Sequence, residues 1–105
     1  MGDSVQIVKD YLQARMANDV PALLKYIADD IVFVNEKEGK QSGKDNFEKF
    51  VKANGPKGKW DEPQAEGDAI IVKGHISMGF IKVKLQSTFK VNSEGKINYS
   101  ELKRL

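Results

Sequence analysis

The strict alternation of side chains between residues 81 and 91 constrains the fold more than any other feature of this sequence. Every second residue there is apolar or small, and the residues between them are polar or basic. Because successive side chains of a strand point to opposite faces of a sheet, this segment predicts a strand with one buried and one solvated face. The first face comprises Ile81, Val83, Leu85, Ser87, Phe89 and Val91, and the second comprises Lys82, Lys84, Gln86, Thr88 and Lys90.

The preceding segment, residues 68–78, repeats the same period of two and predicts a neighbouring strand. The only histidine in the chain, His75, falls on its polar face, where a solvated or interface role is expected. Both strands together predict a sheet whose apolar face needs a covering layer. That face has Ile70, Val72, Gly74, Ile76 and Met78, and the opposite face has Ile71, Lys73, His75 and Ser77.

Three segments with helical periodicity can supply the covering layer. Residues 4–17 have apolar side chains at intervals of three and four, which predicts a first helix. A second helix is predicted from Pro21 to Ile27, with the pair Asn18-Asp19 positioned to cap it. The third begins at Ser42 in a pattern similar to a capping box and is stopped by Asn54-Gly55-Pro56.

The remaining strands complete a largely antiparallel meander. Residues 31–36 are rich in β-branched and aromatic side chains and predict an early strand, whereas residues 39–43 predict a loop. Residues 60–65 predict an edge strand that Pro63 interrupts, and residues 96–105 predict the last strand. The order predicts an α+β sandwich in which the helices cover one face of the sheet.

Composition limits the number and class of sites. A chain of 105 residues is the size of one domain, so we expect residues 1–105 to form a single unit. Its net charge of +2 comes without a dense basic stripe, so we do not expect it to bind nucleic acid. The sequence contains no cysteine and one histidine, and it predicts neither a metal nor a cofactor. No apolar run approaches the roughly 20 residues of a membrane span, so we expect a soluble, cytoplasmic protein.

Four short stretches carry a resemblance to a known family. They are residues 11–19 in the helical pair, 26–30 before the first strand, 43–47 opening the third helix, and 94–97 entering the last strand. In order and spacing the chain resembles the nuclear transport factor 2-like superfamily, which includes SnoaL-like cyclases and ketosteroid isomerases. The resemblance implies a cystatin-like cone, with three N-terminal helices packed on a curved, mainly antiparallel sheet around a pocket. It also implies homodimerisation through the outer face of the sheet.

The isomerases of that superfamily can be compared with this chain at three catalytic positions. Their oxyanion-hole tyrosine is matched by Tyr11, which could donate a hydrogen bond to a developing enolate. Their general base falls on Asn35, and an amide cannot take a proton at physiological pH. Their second oxyanion donor falls on Ser87, which can donate a hydrogen bond but has no acidity to exploit. The resemblance therefore implies the pocket without the isomerase reaction.

The expected pocket combines these three polar residues with four apolar ones. Each has a structural alternative: Tyr11 could fill the core, Asn35 could lie at a solvated strand end, and Ser87 could leave space for an opposing ring. The sequence does not decide whether the cone is open or filled by side chains. The candidate pocket residues are Tyr11, Phe33, Asn35, Phe47, Phe50, Leu85 and Ser87.

Three functions remain open at the level of sequence. The first is binding of a small apolar ligand with a few oxygens, without turnover. The second is a SnoaL-like enzyme, such as a cyclase, dehydratase or hydrolase, which needs an acid or His75 to point inward. The third is a protein-interaction or assembly domain that uses Lys82 and Lys84 on the polar sheet face.

Overall fold

The computed structural model describes residues 2–36, 39–53 and 58–105, which form three helices and a seven-stranded sheet. The helices are α1 (Gly2–Met16), α2 (Val20–Leu24) and α3 (Lys44–Ala53). The strands are β1 (Ile27–Asn35), β2 (Gly39–Ser42), β3 (Lys59–Trp60), β4 (Gln64–Glu66), β5 (Ala69–Met78), β6 (Ile81–Val91) and β7 (Ile97–Arg104). Helices packed on one mainly antiparallel sheet confirm the predicted α+β class.

The sheet runs in the order β2-β1-β7-β6-β5-β3, and β4 pairs with the other part of β5. All pairs are antiparallel except β1 with β7, which are parallel. Two register shifts interrupt the ladder, one between Ile27 and Val32 and one between Lys90 and Val91. Irregularities of this kind bend a sheet and increase its local twist.

Three residues, 17–19, join the first two helices. Asn18 adopts a left-handed conformation with φ of 57°, and the Asp19 N–H donates to the carbonyl of Ala14, which closes α1 as in a Schellman motif. The Asp19 side chain then accepts a hydrogen bond from the Ala22 N–H at 3.3 Å. Of the predicted pair, Asp19 is therefore the residue that caps α2.

The second helix is shorter, and the first strand longer, than predicted. The sequence assigns Ile27 to a helix and starts the strand at Ile31, but β1 begins at Ile27. Ile27 is paired with Ile97 of β7, and the Ile97 N–H donates to the carbonyl of Tyr26 at 2.7 Å. Pairing with a distant strand overrides the local helical pattern here.

The predicted loop at residues 39–43 is wrong for most of its length, because Gly39–Ser42 form β2 and pair with the end of β1. Ser42 is therefore part of a strand. Gly43 occupies the position before α3: its carbonyl accepts from the Phe47 N–H at 3.0 Å, and its φ is 99°. The predicted stop of this helix at residues 54–56 lies outside the described residues.

The predicted edge strand at residues 60–65 is two short strands, β3 and β4, with Pro63 in the gap between them. Trp60 of β3 pairs with Gly74 of β5. A Cβ atom at Gly74 would lie 2.6 Å from Cε3 of the Trp60 ring. Glycine at this position therefore leaves the space that the Trp60 ring and the Lys59 carbonyl occupy beside β5.

The core lies between the helices and the predicted apolar face of the sheet. It includes residues from α1, α2, α3 and the four longest strands, so a single cluster joins the two layers. Ile81, at the far end of the same face, is 66% exposed because the helices do not cover that end. The buried cluster contains Val8, Tyr11, Leu23, Ile27, Ile31, Phe33, Phe47, Val51, Ile70, Val72, Phe89 and Ile97.

The longest described helix has 15 residues. Within the described ranges, no helix has the length and apolar character that crossing a bilayer requires.

Candidate functional site

A cavity of about 510 Å³ lies between the helices and the inner face of the sheet. Helices α1 and α3 supply one wall, and strands β1, β3, β5, β6 and β7 supply the other. Most of the lining side chains are aromatic or aliphatic. The lining residues are Tyr11, Leu12, Arg15, Met16, Phe33, Val34, Asn35, Glu36, Phe47, Phe50, Trp60, Ile76, Leu85, Ser87, Phe89, Ser100, Leu102, Lys103 and Arg104.

All seven residues that the sequence suggests for a pocket line this cavity. The sheet register explains why those on strands meet: Phe33 is paired with Ser100, and Asn35 is paired with Leu102. Leu102 is in turn paired with Ser87 on its other side. Paired residues share a face, so Asn35 and Ser87 lie on the same inner surface two strands apart.

Aromatic rings form the inner part of the cavity wall. Tyr11 on α1 contacts Phe89 of the sheet, with ring centroids 5.6 Å apart at an angle of 63°. Phe33 of β1 contacts both phenylalanines of α3, Phe47 at 5.2 Å and Phe50 at 5.5 Å. These tilted and edge-on contacts join both helices to the sheet around the cavity.

Tyr11 is 5% exposed, and it therefore belongs both to the core and to the cavity wall. Burial raises the pKa of Tyr11 from 10.0 to about 12, while the nearby positive charge of Arg15 and a hydrogen bond with its side chain act in the opposite direction. The hydroxyl thus keeps its proton at neutral pH and can donate it in a hydrogen bond.

Arg15 follows Tyr11 by one helical turn, which places both side chains on the same side of α1. Its Nη1 donates to the carbonyl of Val51 in α3 at 3.5 Å, and its side chain is partly buried. The guanidinium therefore lies between the two helices and beside the Tyr11 hydroxyl. Arg15 is not among the pocket residues predicted from the sequence, although its spacing of four residues from Tyr11 is a signal that could have identified it.

Two buried polar side chains face the cavity from the sheet. Asn35 is 8% exposed and Ser87 is 6% exposed. The Nδ2 atom of Asn35 makes no hydrogen bond, although the residue has other interactions. An amide can donate and accept, and a hydroxyl can do both as well, so this wall offers hydrogen bonds to oxygen-bearing groups.

Charged residues lie at the cavity entrance, where β1 and β7 end. Glu36 is exposed, and its Oε1 accepts a hydrogen bond from the Arg104 backbone N–H at 3.1 Å. Lys103 and Arg104 are exposed as well. No pattern within either segment indicates these residues, because only the parallel pairing of β1 with β7 brings them together.

His75 does not line the cavity. It is paired with Lys84 of β6 and Lys59 of β3, in the row of side chains that alternates with the inner face. Lys82 and Lys84 are exposed on that outer face. Among the described residues, no three His, Asp or Glu side chains lie close enough together to hold a metal ion.

Solved structures give the clearest comparison for this chain. A nuclear transport factor 2-like protein of unknown function from Cytophaga hutchinsonii is 15% identical, with 97% of this chain and 89% of that chain covered and a TM-score of 0.83. A SnoaL-like protein of unknown function from Burkholderia thailandensis is 13% identical, with 100% and 97% covered and a TM-score of 0.82.

A third similar structure is an LEH-like epoxide hydrolase from M. tuberculosis. It is 18% identical, with 100% of this chain and 84% of that chain covered and a TM-score of 0.78. No protein-family model matches the sequence, and no curated protein matches it. Likeness at such low identity establishes the fold and leaves the activity to be argued from the site.

Proposed function

We propose that this chain, which has the nuclear transport factor 2-like fold, binds a small, largely apolar molecule with a few oxygens and does not convert it. The observation that supports this best is the cavity of about 510 Å³ with its aromatic walls. Ligand cavities of drug-sized molecules are typically about 300–1,000 Å³ and mainly apolar. A core of this size that served only packing would be expected to leave few spaces larger than a water molecule.

The cavity volume sets the size of the ligand. A volume of about 510 Å³ is large enough to accept a ring system with a short substituent. Flat rings also match the lining, because Phe33, Phe50 and Trp60 offer faces and edges for stacking.

Three polar groups would orient the ligand. The Tyr11 hydroxyl donates from the helical wall, while Asn35 and Ser87 offer donors and acceptors from the sheet. A few placed polar groups in an apolar cavity fix the orientation of a ligand and penalise analogues that leave them unpaired.

The residue types that line the cavity support binding without turnover. Asn35 lies where the resembling isomerases have their base, and an amide does not accept a proton. Hydrolysis, suggested by the M. tuberculosis neighbour, would have to use Glu36 among the described lining residues. That carboxylate is exposed, and its Oε1 already accepts a hydrogen bond from the Arg104 backbone N–H, so it lies outside the buried, aromatic part of the cavity.

A neutral dye tests the proposal directly. Phenylnaphthylamine becomes fluorescent in apolar surroundings, and we expect it to bind the wild-type chain with saturation. Ser87→Phe should weaken this binding at least about tenfold, because the new ring would enter the cavity from a buried wall position. Thr88→Phe is the matched control, since it adds the same ring to the adjacent position of β6, which faces the other side of the sheet.

Thermal unfolding should show that both variants are folded before binding is compared. Absence of saturable dye binding to the wild-type chain, or equal binding by both variants, would contradict binding in this cavity. The dye should also raise the midpoint of unfolding of the wild-type chain, because it binds the folded state.

A second proposal concerns assembly. Lys82 and Lys84 are exposed on the outer sheet face, next to the partly buried His75. The resemblance implies that this face joins two copies, and the exposed Phe80 at the tip of the β5–β6 hairpin offers apolar area beside it. The resemblance and the exposed Phe80 support self-association through the outer face of the sheet, whereas Lys82 and Lys84 make this face more charged than the interface of a permanent dimer usually is.

A further inference from the structure

We propose that the β5–β6 hairpin docks this protein on an anionic lipid bilayer, with Phe80 at its tip inserted among the lipids and the lysines near the tip bound to lipid headgroups. This inference goes beyond the proposed function, because it concerns a surface outside the cavity. Three observations support it: a fully exposed aromatic side chain, a basic segment without acidic residues, and the position of the tip at the end of the sheet where the cavity opens.

The tip of the hairpin is a two-residue turn that presents an aromatic ring to solvent. Met78 and Ile81 are the last paired residues of the two strands, so Gly79 and Phe80 alone form the turn. Gly79 has a φ of 64°, which glycine adopts without strain at the first central position of a tight hairpin turn. Phe80 is fully exposed and Ile81 is 66% exposed. Turns usually carry polar residues, so an aromatic side chain that packs against no core indicates contact with something outside the chain.

The hairpin that carries this tip is basic along its whole length. Residues 69–93 contain four lysines, one histidine and no acidic residue. Lys82 and Lys84 are exposed close to the tip, and Arg104 is exposed at the neighbouring end of β7. Glu36 is an acidic residue at this end of the sheet, and these three cations outnumber it. The apolar tip therefore lies within a region of net positive charge.

The charge and the shape of the tip favour an anionic bilayer over other partners. Insertion at a membrane interface becomes stronger with the apolar area buried, and each lysine or arginine near an anionic surface adds about fivefold in affinity. A single-stranded nucleic acid would need a row of rings along a groove, whereas Phe80 is one ring on a projecting turn. A second copy on the outer face would bring Lys82 and Lys84 of both copies together, and like charges repel across an interface. Lipid phosphates and carboxylates neutralise these lysines instead.

The end of the sheet that carries the tip is also the end at which the cavity opens. Arg104 lines the cavity entrance, and Ile76 of β5 lines the cavity wall. Ile76 is paired with Val83, and Ile81 lies on the same face of β6 two residues nearer the tip. The apolar inner face of the hairpin thus continues from the cavity to the tip. A bilayer that receives the tip would face the entrance, which would place the membrane beside the path of an apolar ligand.

Sedimentation with vesicles tests the docking surface, using phosphatidylcholine vesicles with and without phosphatidylserine. We expect the wild-type chain to bind the anionic vesicles at least about tenfold more strongly, and added salt to weaken this binding. Phe80→Ser should reduce binding at least about tenfold, because a phenylalanine side chain no longer leaves water. Lys82→Gln combined with Lys84→Gln should reduce it by a similar factor. The matched control is Lys25→Gln with Lys90→Gln, which removes the same charge from exposed positions at the opposite end of the sheet and should leave binding unchanged.

Equal binding of the wild-type chain to both kinds of vesicle would overturn the inference, and so would a Phe80→Ser variant that binds like the wild-type chain. Self-association that is lost in Phe80→Ser, without binding to vesicles, would also overturn it and would assign the tip to a second copy. Urea unfolding should be nearly unchanged in all variants, because the substituted side chains are exposed. Phe80 does not line the cavity, so the neutral dye should bind Phe80→Ser as it binds the wild-type chain. Failure of vesicle binding therefore leaves the proposed function standing.

Discussion

Alkaline pH should destabilise this protein through Tyr11, and the structure gives the size of the effect. The hydroxyl lies in the cavity wall with 5% exposure of the residue, and burial raises its pKa from 10.0 to about 12. In the unfolded chain the same group ionises near pH 10. At about 1.36 kcal/mol for each pKa unit, a difference of two units corresponds to about 2.7 kcal/mol.

The direction in which pH changes the stability follows from proton binding by the folded and unfolded chains. Between pH 10 and 12 the unfolded chain has lost the Tyr11 proton while the folded chain still holds it, so raising the pH favours unfolding. The contribution is fully present below pH 10 and is lost as the pH rises through 12. Lysines also titrate in this range, so the comparison must be made with a variant that differs only at Tyr11.

The contribution of Tyr11 ionisation to the free energy of unfolding can be isolated by urea unfolding. The wild-type chain and Tyr11→Phe are compared at about pH 9 and again near pH 12. The wild-type chain should lose about 2–2.7 kcal/mol more than the variant across this interval, because the phenylalanine has no proton to release. A hydrogen bond lost with the hydroxyl in Tyr11→Phe changes the free energy of unfolding of the variant equally at both pH values. It therefore cancels when the two pH values are compared. Parallel stability curves for the two chains would refute the burial argument, and so would a tyrosinate absorbance titration that finds every tyrosine ionising near pH 10.

Two further predictions address the sheet. Gly74→Ala should cost about 1–3 kcal/mol of unfolding free energy, because its Cβ would lie 2.6 Å from the Trp60 ring and against the Lys59 carbonyl; Ser77→Ala, exposed on the same strand, should change urea stability by less than about 0.5 kcal/mol. Lys82→Glu with Lys84→Glu should alter self-association measured by sedimentation velocity if the outer face joins two copies, and an unchanged sedimentation coefficient across a concentration series would count against that proposal.

Much of the fold could be predicted because its signals are local. The alternation in residues 81–91 identifies the inner face of β6, and the structure places Leu85, Ser87 and Phe89 on that face, each 6% exposed or less. Asp19 could be identified as part of a cap because helix termini leave N–H groups that short polar side chains satisfy. These features depend on residues a few positions apart.

The errors occurred where distant segments decide the outcome. Ile27 has helical neighbours but joins a strand because Ile97 pairs with it. Gly39–Ser42 form β2 because the end of β1 provides an edge to pair with. Neither pairing leaves a signal within the segment itself, so the sequence predicts a helix end and a loop.

The candidate site, like the fold, could be predicted from the sequence only in part. The sequence proposes seven pocket residues from face and resemblance, and the structure places all seven around one cavity. It could not show that the cavity is open, because that depends on how far the helices stand from the sheet. It also missed Glu36 and Arg104, which meet only through the backbone contact between the ends of β1 and β7.

Sequence alone therefore determined which side chains face inward, since the alternation of a strand is a property of its own backbone. It also determined that position 35, which the resemblance matches with the base of the isomerases, holds an amide, which is a matter of residue type. Tertiary structure decided the volume of the cavity, the position of Arg15 beside the Tyr11 hydroxyl and the charges at the entrance. Those depend on distances between elements that are far apart in the chain, and packing of the whole domain sets such distances.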